Sequence, residues 1–232
     1  MLTIALSKGK LIESAMDVFR RAGYPTEGLS GESRRLVFEC PSIGMTFLIV
    51  RPSDVPTYVE YGGADAGIVG KDVLLEQETD VYEPLDLGFG ACRISVAALK
   101  GEGVRDRLSS KVRIATKYPK ITERFFNQRG VPVEIIKLYG SIELAPVVGL
   151  ADWIVDLVET GNTLRAHDLV ELEVIARSTA RLIVNRASFR LKHRPLRELI
   201  QRLRAVSAGR KSMRGNGRRQ TARTDKEKAA RV

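Results

Sequence analysis

Asp152-Trp-Ile-Val-Asp-Leu-Val-Glu-Thr-Gly-Asn-Thr-Leu164 constrains this chain more than any other stretch. Its apolar run over residues 153–157, bounded by turn residues, suits a short strand buried on both faces, as in a parallel sheet. The run ends in carboxylates, Asp156 and Glu159, and then a small polar loop, Thr160-Gly161-Asn162-Thr163. The loop offers two hydroxyls, several backbone N–H groups, and a glycine that lets the backbone come close to a ligand. A helical turn starting at Leu164 would gather those N–H groups at its N-terminus, where a phosphate is favoured. The carboxylates cannot hold phosphate as well. They suit sugar hydroxyls or a magnesium ion beside it. Carboxylates next to a phosphate cradle imply a phosphorylated sugar. An ordinary strand-to-helix turn with a capping threonine explains the same residues, because such turns are common in α/β proteins.

The rest of the chain repeats strand and helix. Residues 2–6 alternate as a buried strand, followed by Ser7-Lys8-Gly9-Lys10 and a helix with Leu11, Ala15, Phe19 and Ala22 on one face. Gly23 stops that helix. Residues 24–44 read as loop with a short strand near 36–39, and residues 45–50 as an apolar strand. Arg51-Pro-Ser-Asp54 ends that strand, and Asp54 is placed to cap a helix through Tyr58 and Tyr61. Gly62 and Gly63 precede the next strand, so they do not form a dinucleotide fingerprint, whose glycines follow the strand. Gly67 within it suggests close backbone approach. A helix opens at Gly70-Lys71-Asp72.

Residues 82–90 read as turns, 93–99 as a strand, 104–108 as a short helix and 112–115 as a strand. Thr116-Lys-Tyr-Pro-Lys120 starts a helix with Pro119 in its first turn and Gly130 after its end. A strand over 133–136 and a helix opened by Gly140-Ser-Ile-Glu143 lead to the central stretch. Residues 169–176 and 180–185 read as two strands joined by Arg177-Ser-Thr, and 196–203 as an amphipathic helix. The alternation predicts parallel sheets covered by helices. Ligands in such sheets sit at the carboxyl ends of strands. Lys8, Arg51, Asp72, Thr116-Lys117 and the loop 160–163 all occupy that position, which favours a binding cleft. Taken by themselves, Lys8 and Lys10 read first as solvated surface lysines, and Arg51 can instead pair with Asp54.

Composition excludes several classes. The 232 residues suffice for one large or two small domains. No apolar run reaches transmembrane length, and the first residues lack the basic region of a signal peptide. Cys40 and Cys92 give neither a disulfide framework nor metal-ligand spacing. The net charge of +10 is concentrated at the end. Residues 205–232 carry nine Lys/Arg against two Asp/Glu, a net of +7, leaving +3 for residues 1–204. Without apolar periodicity or aromatics, that segment reads as a disordered, solvated basic tail. It could hold nucleic acid through phosphates alone. Two rival functions follow: a solute-binding module, and a nucleic-acid-binding protein led by the tail.

The segment Glu143-Leu-Ala-Pro-Val-Val-Gly149-Leu-Ala151-Asp-Trp-Ile154-Val-Asp156-Leu-Val-Glu-Thr160-Gly161-Asn-Thr163-Leu164 resembles the signature of the ATP phosphoribosyltransferase family. Further matching residues lie in Ser7-Lys-Gly-Lys-Leu11, Arg51-Pro-Ser-Asp-Val-Pro-Thr-Tyr58, residues 62–72 and Ala115-Thr-Lys-Tyr-Pro119. Lys10 stands where the family usually has arginine, which keeps the charge and loses bidentate geometry.

The resemblance implies an α/β fold of two lobes with mixed, mostly parallel sheets, like type II periplasmic binding proteins, with a cleft between lobes. It places lobe I at residues 1–89 plus 181–204 and lobe II at 90–180, followed by the tail 205–232. It implies transfer of the phosphoribosyl group of 5-phosphoribosyl 1-pyrophosphate to N1 of the adenine of ATP, with release of pyrophosphate. This reaction is the first step of histidine biosynthesis. Asp156, Glu143 and Lys8 are the implied catalytic residues. Asp156, Glu159, Thr160, Gly161, Asn162 and Thr163 would bind the phosphoribosyl donor. Lys8, Lys10, Arg51, Asp72 and Tyr118 would serve ATP or pyrophosphate. Mg2+ is the implied cofactor, with Glu143 or Asp156 reaching it through bound substrate. Ordered chain ending near residue 204 resembles the family's short form. That form implies a regulatory subunit similar to histidyl-tRNA synthetase in a hetero-oligomer, or a homodimer alone, in the cytoplasm.

Overall fold

The computed structural model describes residues 1–26, 34–101 and 111–209. The chain divides into two compact units. The first takes Met1–Val69, Thr79–Gly90 and the chain from Ala180 onward; the second takes Gly70–Glu78 and Ala91–Thr179. The helix over residues 71–77 thus goes with the second unit, whereas the resemblance puts it in the first lobe.

In the first unit, β1 (Leu2–Ser7) leads to α1 (Ile12–Arg21), β2 (Val37–Cys40), β3 (Met45–Val50), α2 (Val55–Glu60) and β4 (Ala66–Gly70). Five of the six β1 residues are buried, because β3 and β4 flank it in parallel and helices cover the sheet. Phe19 of α1 meets Phe47 of β3 edge-on, with ring centroids 5.2 Å apart, at the centre of this core.

The second unit begins with α3 (Lys71–Gln77). β5 (Tyr82–Asp86) returns to the first sheet, and β6 (Cys92–Leu99), β7 (Val112–Thr116), α4 (Pro119–Asn127) and β8 (Val133–Lys137) follow in the second unit. α5 (Leu144–Val147), β9 (Trp153–Val158), α6 (Asn162–Ala166) and β10 (Leu169–Ser178) complete it. The first unit ends with β11 (Ala180–Val184), α7 (Arg186–Leu191) and a helix α8 over residues 193–209.

The strand orders are β2-β3-β1-β4-β11-β5 and β10-β6-β9-β7-β8. In each sheet a parallel core of three strands carries antiparallel neighbours, so both sheets are mixed. Leu196, Leu199, Ile200 and Leu203 form the buried stripe of α8.

Several local expectations change. Residues 82–86 form a strand rather than turns; Pro84 hid it, and the strand tolerates proline because it lies at the sheet edge. β10 and β11 belong to different sheets. The latter stops at Val184 because Asn185 caps α7, accepting the Ser188 N–H at 2.8 Å. Asp54 stands at the start of α2 but makes no side-chain cap; its carboxylate accepts the Ser53 hydroxyl instead. α8 continues to residue 209, beyond the expected boundary at 204. The expected helix at 104–108 and the remainder of the basic tail lie outside the described residues. Among the described residues, no helix is long and apolar enough to cross a membrane.

Candidate functional site

Alternation along β9 sorts the central stretch into two faces. Trp153, Val155 and Leu157 pack with Phe125 and Phe126 of α4. Ile154 and Val158 face the other way, against Ile142, Ala145 and Leu164. Asp156 lies on this second face, half-buried, across from Ser95 of β6. Burial is the main cause that pushes the Asp156 carboxyl above its usual range. The Leu157 N–H and the Lys117 ammonium pull it down, while Glu143 and Asp72 push it further up. Three charged side chains from three other parts of the sequence therefore act on Asp156 in the second unit.

Glu159 and Thr160 are exposed after the end of β9. Gly161 turns the chain at φ 78°, a left-handed conformation that side chains disfavour. The Asn162 N–H donates to Thr160 Oγ1 at 3.4 Å, and Asn162 and Thr163 open α6 at the surface. That helix has five residues. Little more than one turn gives a weak dipole, so a phosphate here would be held by loop amides and hydroxyls.

The segment after β7 is fixed from inside. Thr116 Oγ1 donates to the Val155 carbonyl at 2.7 Å and accepts the Tyr118 N–H at 2.9 Å. Lys117 is left exposed, with its ammonium 5.0 Å from the Tyr118 ring centroid. Tyr118 itself is buried and its hydroxyl donates to Asp72 Oδ2 at 2.9 Å. Ser178 Oγ donates to Asp72 Oδ1 at 2.8 Å and accepts the Asp72 N–H at 3.0 Å. Burial, reinforced by Asp72, pushes the Tyr118 phenol far up, so it stays a proton donor. Two expected ATP contacts, Asp72 and Tyr118, are thus buried and bonded to each other. Ser178, 106 residues from Asp72, joins them with no local sequence signal. Burial raises the Cys92 thiol, with Asp72 and Glu159 adding to it, which does not suit a nucleophile.

Lys8, Lys10 and Arg51 belong to the first unit, and all three are exposed. Parallel pairing of β1 with β3 puts Lys8 and Arg51 just past neighbouring strand ends, with the Lys8 N–H donating to the Val50 carbonyl at 2.8 Å. Among the described residues no three His, Cys, Asp or Glu side chains form a metal-binding group.

Relatives give this geometry its context. A family model described as ATP phosphoribosyltransferase matches residues 51–205. An ATP phosphoribosyltransferase of Syntrophotalea carbinolica is 57% identical over 210 residues, which covers 89% of this chain and 95% of the relative. ATP phosphoribosyltransferase 2 of Geobacter sulfurreducens is 56% identical over 204 residues, covering 87% and 96%. Among solved structures, the ATP phosphoribosyl transferase (HisG:HisZ) complex from Thermotoga maritima superposes with a TM-score of 0.79 at 37% identity, covering 90% of this chain and 100% of that one. The periplasmic aliphatic sulphonate binding protein SsuA from Escherichia coli has a TM-score of 0.59 at 11% identity, covering 93% and 75%; this likeness shows the fold alone. The chain belongs to the ATP phosphoribosyltransferase family, glycosyltransferases that move the phosphoribosyl group of 5-phosphoribosyl 1-pyrophosphate onto N1 of the adenine of ATP in the first step of histidine biosynthesis.

Proposed function

We propose that the loop Thr160-Gly161-Asn162-Thr163 takes the 5-phosphate of the phosphoribosyl donor and that Asp156, with Glu159 or Glu143, holds its ribose hydroxyls. The observation that carries this reading is Asp156 itself. A half-buried carboxylate with a raised pKa stands on the strand that leads into a glycine loop of hydroxyls and amides, within the field of Lys117 and Glu143. The ribose passes through a cationic, oxocarbenium-like state. Fixed negative charge beside it and fixed positive charge around the departing pyrophosphate lower the barrier, and no protein nucleophile is needed. Lys8, Lys10 and Arg51 hold phosphates of ATP or pyrophosphate. Asp72 and Tyr118 serve ATP indirectly, by fixing the segment that carries Lys117.

The family works with a metal cofactor, and magnesium is the ion we assign. Magnesium takes one or two carboxylates plus substrate phosphates rather than an all-protein cage. Asp156 and Glu143, which belong to no metal-holding group of three carboxylates or imidazoles among the described residues, fit that donor set. When bound with the substrate, the ion supplies charge neutralisation on the leaving pyrophosphate. The Thermotoga structure is of a HisG:HisZ complex. By that likeness this chain joins a regulatory subunit resembling histidyl-tRNA synthetase in a hetero-oligomer. The family resemblance of its sequence adds a homodimer in the absence of that subunit and a place in the cytoplasm.

Thr163→Val tests the placement of the phosphate. It removes one hydroxyl and keeps the shape. The KM for the phosphoribosyl donor should rise about tenfold, as for a lost hydrogen bond to a charged group, while the KM for ATP changes less than about twofold. Equal effects on both substrates would refute this placement.

A further inference from the structure

Arg93 sits near the start of β6, in register with Val158 of β9 on one side and Arg177 of β10 on the other. Its guanidinium forks onto Glu171: Nε donates to Oε1 and Nη2 to Oε2, both at 2.5 Å. Ser95 Oγ donates to the same Oε1 at 2.7 Å, which fixes the carboxylate from a third direction. The remaining arm of Arg93, Nη1, donates to the main-chain carbonyl of Glu159 at 3.1 Å. A second arginine treats the next peptide in the same way. Arg165 Nη2 donates to the Thr160 carbonyl at 3.3 Å and also to Asn162 Oδ1. A Cβ on Gly161 would stand 3.1 Å from Arg165 Nη1, so glycine leaves room for that guanidinium as well as for the positive φ.

A trans peptide points its carbonyl and the following N–H in opposite directions. Fixing the Glu159 carbonyl therefore fixes the Thr160 N–H, and fixing the Thr160 carbonyl fixes the Gly161 N–H. We infer that Arg93 and Arg165 are positioning residues for the donor-binding loop: each holds one loop carbonyl from behind, which turns two successive amides toward the bound 5-phosphate. The inference rests on the loop being the phosphate site. It adds what a glycine loop on a one-turn helix lacks by itself, a reason for the amides to stay aimed while the site is empty. Glu171 offsets the charge of Arg93, so the contribution of Arg93 is geometric, while Arg165 also makes the local potential more positive. Preorganised donors bind an anion better than donors that must first be ordered.

The experiment measures steady-state kinetics of the full-length enzyme, with its regulatory subunit where turnover needs one. The variants are Arg93→Met, Arg165→Met, the double variant, Arg93→Lys and Thr163→Val. The double variant should raise the KM for the donor about tenfold or more, with the KM for ATP within about twofold, as expected for the loss of two aimed amides. Arg93→Lys keeps the charge and loses the fork, so it should recover less than half of the loss of Arg93→Met on a logarithmic scale. A merely structural role would lower the active fraction, hence kcat, and leave both KM values unchanged. Arg165 is exposed, so Arg165→Met alone provides the reading if variants at Arg93 fail to fold. An unchanged donor KM in the Arg165 and double variants, with Thr163→Val raising it, would overturn the inference and leave the phosphate site standing. An unchanged donor KM in all variants, Thr163→Val included, would overturn both.

Discussion

Asp156→Asn is expected to lower kcat/KM by about 10²–10³-fold, the scale for losing one preorganised charge-stabilising group, while making the folded protein more resistant to denaturant. The two effects have one cause. Burial raises the carboxyl above its ordinary pKa, so the ionised form is held at a cost in the folded chain. For an acid raised in this way, the folded state binds the proton more tightly than the unfolded state. Stability therefore falls as pH rises from the unfolded carboxyl value through the folded one, and the cost is present in full above that window. Asparagine keeps the shape and removes the charge, so at neutral pH it removes the cost together with the function. The wild-type rate should also fall as pH drops through the raised pKa, and the rate remaining in the variant should lack that step. A variant that is both active and no more stable would show that the carboxylate is neither strained nor used. Denaturant midpoints and pH–rate profiles of the two proteins decide it.

Asp72→Ala is expected to destabilise the second unit by about 2–4 kcal/mol, since it leaves buried hydroxyls without their acceptor. The Tyr118 hydroxyl and Ser178 Oγ both donate to this one carboxylate. The three residues come from α3, the end of β10 and the segment after β7, so they link distant parts of the chain. A loss of that size lowers the thermal midpoint by roughly 5–15 °C for a chain of this length. Asp72→Asn keeps one carbonyl acceptor and should recover part of the loss. Differential scanning calorimetry reads both variants, and an unchanged midpoint for Asp72→Ala would show that the network carries no stability. Tyr118 and Lys117 are neighbours, so a fall in kcat should accompany the thermal shift.

What could be read ahead of the structure was local. The run at 153–157 with its following glycine loop announces β9 and α6, because burial on both faces and the turn chemistry are written in adjacent residues. The stripe Leu196, Leu199, Ile200 and Leu203 announces α8 in the same way. Long-range pairing was not legible. β5 reads as turn until β11 lies beside it, because Pro84 breaks the strand signal and the partner lies almost a hundred residues on. α7 has six residues and none fully buried, so its clearest signal is the capping Asn185. Asp72 and Tyr118 were placed at strand ends, where ligands bind. Their burial depends on Ser178, which no spacing rule connects to them. Arg93 carries no local signal for a similar reason. Its contact with the Glu159 carbonyl requires the register of β6 on β9, and its fork onto Glu171 requires the bulged pairing of β6 with β10. Candidate side chains adjacent in the sequence are legible there; those that support them from a neighbouring strand are not.

The most direct measurement is turnover of the purified full-length chain with ATP, 5-phosphoribosyl 1-pyrophosphate and magnesium, alone and with a regulatory subunit resembling histidyl-tRNA synthetase. Wild type should release pyrophosphate and form N1-phosphoribosyl-ATP in at least one of the two conditions, and Asp156→Asn should lose nearly all of that rate. No product from well-folded wild-type protein in either condition, or full activity in Asp156→Asn, would contradict the role assigned to β9 and its loop.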